Sequence, residues 1–125
     1  MPGKVAHESQ ACHNENLVSE SLFNVRSTPY PDWVVTIAFY SALHMVDAEL
    51  ASLGHPDIDG HDQRRKLIKE HLSSGRKNIR SLFETLYSDC RRARYECTMF
   101  NAQPEAARKT AQHSVTILKE IKDKL

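Results

Sequence analysis

Seven histidines stand in this chain of 125 residues, and the chemistry that they suggest first is metal binding. A di-iron helical bundle places a carboxylate three residues before a histidine on the same helix. None of the seven histidines has Asp or Glu at that position. The loop from His55 to Asp62 gathers histidine and aspartate side chains, but solvated turns use the same residue types. We therefore expect no metal and no other cofactor.

His44 lies in the middle of an apolar stretch and has two interpretations. In the first, which we favour, it is a core histidine that hydrogen-bonds a neighbouring hydroxyl or carbonyl group. In the second, it faces a cleft or a dimer seam beside Tyr40 and Asp47, each of which is one helical turn away. The first interpretation predicts a role in stability, and the second a role in ligand binding.

The strongest basic cluster is Arg91-Arg92-Ala93-Arg94-Tyr95-Glu96. Three guanidinium groups and a tyrosine within about two helical turns are sufficient for a local phosphate-binding patch. The alternative is a solvated helix face on which Arg92 pairs with Glu96 at the i+4 position. The net charge of +1 provides no global positive field that would favour the patch.

The sequence contains no motif typical of several other classes of protein. There is no glycine-rich phosphate loop and no Gly-x-Ser-x-Gly motif. The cysteines Cys12, Cys90 and Cys97 form no CxxC pair, which argues against a zinc knuckle. The uncharged run from Trp33 to Val46 is shorter than the roughly 18 to 20 residues of a membrane span. Without an apolar secretory signal, we expect a cytoplasmic protein with no membrane segment.

The elements that must position these side chains are helices. We expect residues 1–12 to form a flexible terminus and residues 13–125 to form one domain. Apolar residues recur at helical spacing, interrupted by Gly54 and Gly75 and restarted by Pro31 and Pro104 at first helical positions. This pattern predicts an all-α bundle of four to five helices, which begin near Asn14, Pro31, Asp62, Ile79 and Pro104.

The predicted second helix, from Pro31 to about Leu53, is apolar on three sides. A helix that is apolar nearly all round is buried from several directions. It is therefore either the central helix of the bundle or part of a dimer interface, and we expect a homodimer, since a two-fold seam would cover the excess apolar surface.

Four segments of the chain together resemble HEPN domains. They are Asp32-Trp33 leading into Ala38-Phe-Tyr-Ser-Ala-Leu-His44, then His61-x-x-Arg64, Leu86-Tyr87, and Arg91-Arg-Ala-Arg94-Tyr-Glu96. The resemblance covers about residues 14–122. It implies an up-and-down bundle of four to five helices, usually a homodimer, that often binds RNA or nucleotides. It also implies a possible toxin–antitoxin setting with a nucleotidyltransferase-type partner protein.

Active members of that family resemble one another in an arginine and a following histidine with four to six residues between them. Arg108 with His113 and Arg64 with His71 are the candidate pairs here, but chance alone gives about 1.5 such matches in this composition. On one continuous helix the first pair points about 140° apart, and the second lies about 10 Å apart along the axis.

The leading expectation is thus a dimeric HEPN-like module that binds RNA, a nucleotide or a partner protein without cleaving it. A metal-independent endoribonuclease and a helical protein–protein adaptor are the alternatives. The side chains that we expect to contact a ligand are His44, Tyr40, Asp47, His61, Arg91, Arg92, Arg94 and Tyr95.

Overall fold

The computed structural model describes residues 3–19 and 28–125 of the chain. Within these ranges the protein has six α-helices, one 3-10 turn and no strand, which confirms the all-α, single-domain bundle predicted from the sequence. The helices are α1 (Lys4–Ser19), α2 (Pro31–Ser52), α3 (His61–His71), α4 (Arg80–Tyr95), α5 (Cys97–Asn101) and α6 (Pro104–Lys124).

α2 is the central helix of the bundle, as its apolar composition indicated. Pro31 begins it and Asp32 places a carboxylate at the positive end of the helix dipole. It ends just before Gly54, whose φ of 96° lies in the region that favours glycine. Thirteen side chains of α2 are buried: Pro31, Val34, Val35, Thr36, Ala38, Phe39, Ser41, Ala42, Leu43, Val46, Asp47, Ala48 and Leu50.

The main core lies where α2 packs against α3, α4 and α6. Burial of each large apolar side chain contributes about 1.5 to 3 kcal/mol relative to an exposed position. The largest fully buried side chains are Phe39, Leu50, Ile68, Leu72, Ile79, Phe83, Leu86, Ile117, Leu118 and Ile121. A smaller cluster, around Val34, Val35 and Phe100, holds the start of α2 against α5 and α6.

α1 corrects the prediction for the N-terminal segment. The sequence placed the first helix near Asn14, after an irregular segment, whereas α1 begins at Lys4. It packs on α2 through Ala11, which is buried and whose carbonyl accepts a 2.8 Å hydrogen bond from the Ser41 hydroxyl. The apolar stripe on which the prediction rested continues to Val25 and lies outside the described side chains.

α2 is also long and apolar enough to cross a membrane, with a mean hydropathy of 1.3 over 18 residues. Of that window, 67% is buried inside the bundle, as in the core helix of a soluble protein. The burial and the hydropathy therefore have the same cause, which is the central position of α2.

α3 and α4 complete the scaffold on one side of α2. α3 is short and packs through Leu67 and Ile68. The chain then turns through the 3-10 segment Gly75–Lys77 into α4. α4 ends at Tyr95, and α5 follows as a separate short helix, although the apolar pattern predicted one continuous helix through Cys97.

Candidate functional site

Three helices bring most of the predicted ligand contacts to one side of the molecule. Tyr40, His44 and Asp47 follow one another at helical spacing on α2, and Arg64 of α3 reaches Asp47. Arg94 of α4 reaches the Tyr40 hydroxyl. The side chains that converge in this way are Tyr40, His44, Asp47, His61, Arg64, Tyr87, Arg91, Arg94 and Tyr95.

A buried ion pair between Asp47 and Arg64 holds α3 against α2. Arg64 Nε donates to Asp47 Oδ1 at 2.7 Å and Nη2 donates to Oδ2 at 3.0 Å. The two side chains are only 6% and 9% exposed. Removal of one partner from a buried pair costs about 3 to 5 kcal/mol, because an uncompensated charge stays behind. The charges of Asp47 and Arg64 therefore compensate each other. These residues hold α2 and α3 together and do not offer a free charge to a ligand.

The third guanidinium nitrogen of Arg64 determines which ring nitrogen of His61 carries the proton. Arg64 Nη1 lies 3.1 Å from His61 Nδ1, and a guanidinium can only donate, so Nδ1 accepts. Neutral His61 then carries its proton on Nε2. Partial burial, followed by the positive charge of Arg64, lowers the pKa of His61, so the neutral form dominates at pH 7. His61 consequently offers an N–H donor beside the ring of Tyr87, whose centre is 5.2 Å from its own.

The favoured interpretation expected His44 to bond a hydroxyl or carbonyl group, but its hydrogen-bond partner among the described residues is another histidine. Its Nδ1 lies 2.8 Å from Nδ1 of His7 on α1, so one ring donates and the other accepts. Burial and then the neighbouring His7 lower the pKa of His44. His44 is half-buried beneath α1, which places it at a helix–helix junction.

The arginine–tyrosine face consists of Tyr40, Tyr87, Arg91, Arg94 and Tyr95. The Arg91 guanidinium lies 5.8 Å from the ring centre of Tyr87 and 5.6 Å from that of Tyr95. That of Arg94 lies 5.6 Å from the ring centre of Tyr40 and 5.3 Å from that of Tyr95. Tyr95 itself is 68% exposed. Cation–π contacts thus order both cations at the surface.

Neither cation of this face has a carboxylate partner among the described side chains. Arg91 Nη1 bonds the Tyr87 hydroxyl at 3.3 Å, and Arg94 bonds that of Tyr40. Both arginines are exposed. Their charges are therefore ordered but not neutralised, as a site for an anion requires.

Arg92 and the neighbouring Arg65 do not share this property. Arg92 faces away from the site, where its Nη1 lies 3.4 Å from Asp89 Oδ1 and its guanidinium covers the Phe100 ring. The alternative partner that the sequence suggested, Glu96, bonds the Arg92 carbonyl through its backbone N–H, and its side chain forms no ion pair with Arg92. Arg65 bonds both oxygens of Glu84, at 2.8 and 3.1 Å. These two positive charges are compensated.

The candidate catalytic pairs do not come together within the chain. Arg108 Nε donates to the carbonyl of Thr28 at 3.1 Å, while His113 is exposed elsewhere on α6. Arg64 is occupied by Asp47, and the ring of His71 packs against another histidine, His55, with 5.0 Å between ring centres.

A separate cavity, of about 310 Å³, lies between α1, α2 and the end of α6, but its charged side chains are paired. Lys122 lies 2.7 Å from Glu15, and Lys4 lies 3.7 Å from Glu8. No three His, Cys, Asp or Glu side chains in the described part of the chain lie close enough to hold a metal ion. The arginine–tyrosine face is therefore the strongest candidate site.

Sequence reasoning missed two residues near this site. His7 was assigned to an irregular terminus, so its contact with His44 had no signal in the sequence. Trp33 was assigned to an apolar side of α2, yet it is 57% exposed at the edge of the arginine–tyrosine face. A tryptophan two residues after the helix-starting proline, beside a charged residue, is the only signal that could have found it.

Comparisons with known protein families, with curated proteins and with solved structures found no match for this chain.

Proposed function

We propose that this protein is a cytoplasmic RNA-binding module, in which the arginine–tyrosine face holds single-stranded RNA without cleaving it. One observation carries the proposal: Arg91 and Arg94 are exposed and are ordered by tyrosine rings instead of by carboxylates. Guanidinium groups bind phosphate, and exposed aromatic rings stack with bases. The resemblance to HEPN domains supports the same ligand class.

The geometry favours binding over cleavage. A metal-independent ribonuclease needs a histidine that accepts a proton close to a cation that binds the phosphate. His61 is the histidine nearest to the face, but its Nδ1 is engaged by Arg64, and its Nε2 carries the proton in the neutral form. His61 is thus suited to donate a hydrogen bond to a phosphate or a base rather than to deprotonate a ribose hydroxyl.

The proposal is tested with fluorescence anisotropy of a labelled single-stranded RNA. Arg91→Glu combined with Arg94→Glu should weaken binding by at least about tenfold. It should also reduce the salt dependence of the affinity by the amount expected for about two phosphate contacts. The matched control is Arg76→Glu with Arg80→Glu, which changes the net charge equally at two exposed arginines that have no aromatic neighbours. We expect this control to weaken binding only slightly.

Equal effects of the two double variants would contradict the proposal, because they would show that only net charge matters. The same samples, incubated in EDTA and resolved by length, should contain intact RNA. Cleavage that is lost with His61→Ala would instead support the endoribonuclease alternative. A partner protein of the nucleotidyltransferase type remains a further proposal, which rests on the resemblance alone.

A further inference from the structure

A groove adjoins the arginine–tyrosine face and continues it toward the start of α2. It has a volume of about 350 Å³, within the usual range of small-molecule sites of about 300 to 1,000 Å³. We call it the Trp33 groove. It is lined by Asp32, Trp33, Thr36, Tyr40, Ala93, Arg94 and Cys97. Arg94 and Tyr40 belong both to this groove and to the arginine–tyrosine face, so the two form one continuous surface.

Two aromatic side chains stand along one wall of the groove. Trp33, Thr36 and Tyr40 occupy the i, i+3 and i+7 positions of α2 and therefore share one side of that helix. Trp33 and Tyr40 are separated by about 10 Å along the axis. Because stacked bases repeat about every 3.4 Å, this distance corresponds to about three base steps.

The charges of the groove differ at its two ends. Arg94 places a cation where the groove meets the face; its guanidinium lies against the rings of Tyr40 and Tyr95 and has no carboxylate partner among the described side chains. Asp32 places a carboxylate beside Trp33, and the two carboxylate oxygens have no hydrogen-bond or ion-pair partner among the side chains that the structure describes. An occupant that is anionic at one end and carries N–H donors at the other matches this arrangement.

We propose that the Trp33 groove binds two to three bases of single-stranded RNA, with Trp33 and Tyr40 as stacking surfaces. This inference rests on the proposed function and extends it from phosphate binding to base binding. The phosphates lie on Arg91 and Arg94, and the bases lie toward Asp32, which accepts a hydrogen bond from an amino group. An apolar side chain of a protein partner would instead bury the charges of Asp32 and Arg94 without an opposite charge.

The first test uses the intrinsic fluorescence of the wild-type protein. Trp33 is the only tryptophan, so any change in tryptophan emission reports on this groove. A single-stranded oligoribonucleotide should quench the emission at saturation. An abasic oligomer of the same length presents the same phosphates without aromatic bases and should leave the emission nearly unchanged.

The second test uses two exposed thiols of the same protein. Cys97 lines the groove, whereas Cys12 lies on α1 in the other cavity, and Cys90 is buried. Saturating RNA should slow the reaction of a maleimide with Cys97 by at least about fivefold and leave the rate at Cys12 unchanged. Peptide mass spectrometry separates the two sites.

A pair of matched variants completes the test. Trp33→Ala should weaken RNA binding by about tenfold, Trp33→Phe should retain most of the affinity, and neither should change the affinity for the abasic oligomer. Leu53→Ala is the control, since Leu53 is also exposed but lies at the opposite end of α2. Thermal melting confirms that each variant is folded.

The two proposals fail in different ways. RNA binding that depends on Arg91 and Arg94, with unchanged Trp33 emission and equal labelling of Cys97, would overturn the base-binding groove and leave the phosphate site intact. The absence of any RNA binding would overturn the proposed function and the groove together. Equal quenching by the RNA and the abasic oligomer would also overturn the groove, because phosphates alone would then account for it.

Discussion

At the scale of single residues, the contact between His7 and His44 makes stability depend on pH. Two facing Nδ1 atoms share one proton, so protonation of both rings replaces the hydrogen bond by repulsion. Burial and the neighbouring His7 lower the pKa of His44, while Asp47 raises it and Arg64 lowers it further. The folded protein therefore binds a proton at His44 less readily than the unfolded chain does.

The sign of the effect follows from that difference in proton binding. Stability is complete above the ordinary histidine pKa of about 6.5 and falls as the pH drops below it, until the folded form is also protonated. Urea unfolding at pH 7.5 and 5.5 should show a lower free energy of unfolding at pH 5.5. His61, whose pKa is lowered too, contributes in the same direction.

The variant His44→Gln with His61→Gln should reduce this dependence on pH. His13→Gln with His113→Gln is the matched control, since both of these histidines are exposed. An unchanged pH profile in the first variant would show that other groups cause the effect.

The sequence predicted residue positions better than residue partners. Arg91, Arg94 and Tyr95 lie together because their spacing on one helix places them together. The partner of His44 is 37 positions away and depends on how α1 packs, which local patterns do not encode. Arg92 forms its ion pair with Asp89 and not with Glu96, although the Glu96 N–H donates to the Arg92 carbonyl at the end of α4. Backbone spacing alone therefore does not determine which carboxylate the guanidinium contacts.

At the scale of helices, local signals explain which elements could be predicted. α2 and α6 each begin with a proline at the first helical position, and the sequence predicted the first residue of each helix to within about one residue. α1 lacked such signals, since Ala11 is its one buried side chain among residues 4–16, the part of the helix whose side chains the structure describes. The break between α4 and α5 was also missed, because the apolar spacing of α4 continues in the sequence to Cys97, which lies in α5 and is exposed.

This arrangement predicts that one position controls the packing of α1. Ala11→Glu introduces a charge at a buried site against Ser41 and should release α1 from α2. Hydrogen exchange should then become at least about tenfold faster in α1, while α4 and α6 remain protected. Val5→Glu is the control on the same helix, because Val5 is 77% exposed. Equal exchange in both variants would show that Ala11 does not hold the helix in place.

At the scale of the whole molecule, the homodimer stays a prediction. α1, α4 and α6 pack on α2 within the single chain, and Trp33 of α2 stays exposed in the groove that we assign to RNA, so a dimer seam would use another surface. Light scattering at micromolar concentration should give twice the chain mass of 14.3 kDa. A mass of one chain would show that the helices of one bundle suffice to cover α2.

The uneven distribution of charge has a consequence for the kinetics of association. The net charge is +1, so once Arg91 and Arg94 are set aside the rest of the chain carries a formal charge of −1. A polyanion is thus attracted only when it comes within about one Debye length, roughly 8 Å, of the arginine–tyrosine face. Encounters from other directions are unproductive, and at physiological ionic strength the association rate constant should stay near that of neutral partners, about 10⁵ to 10⁶ M⁻¹s⁻¹.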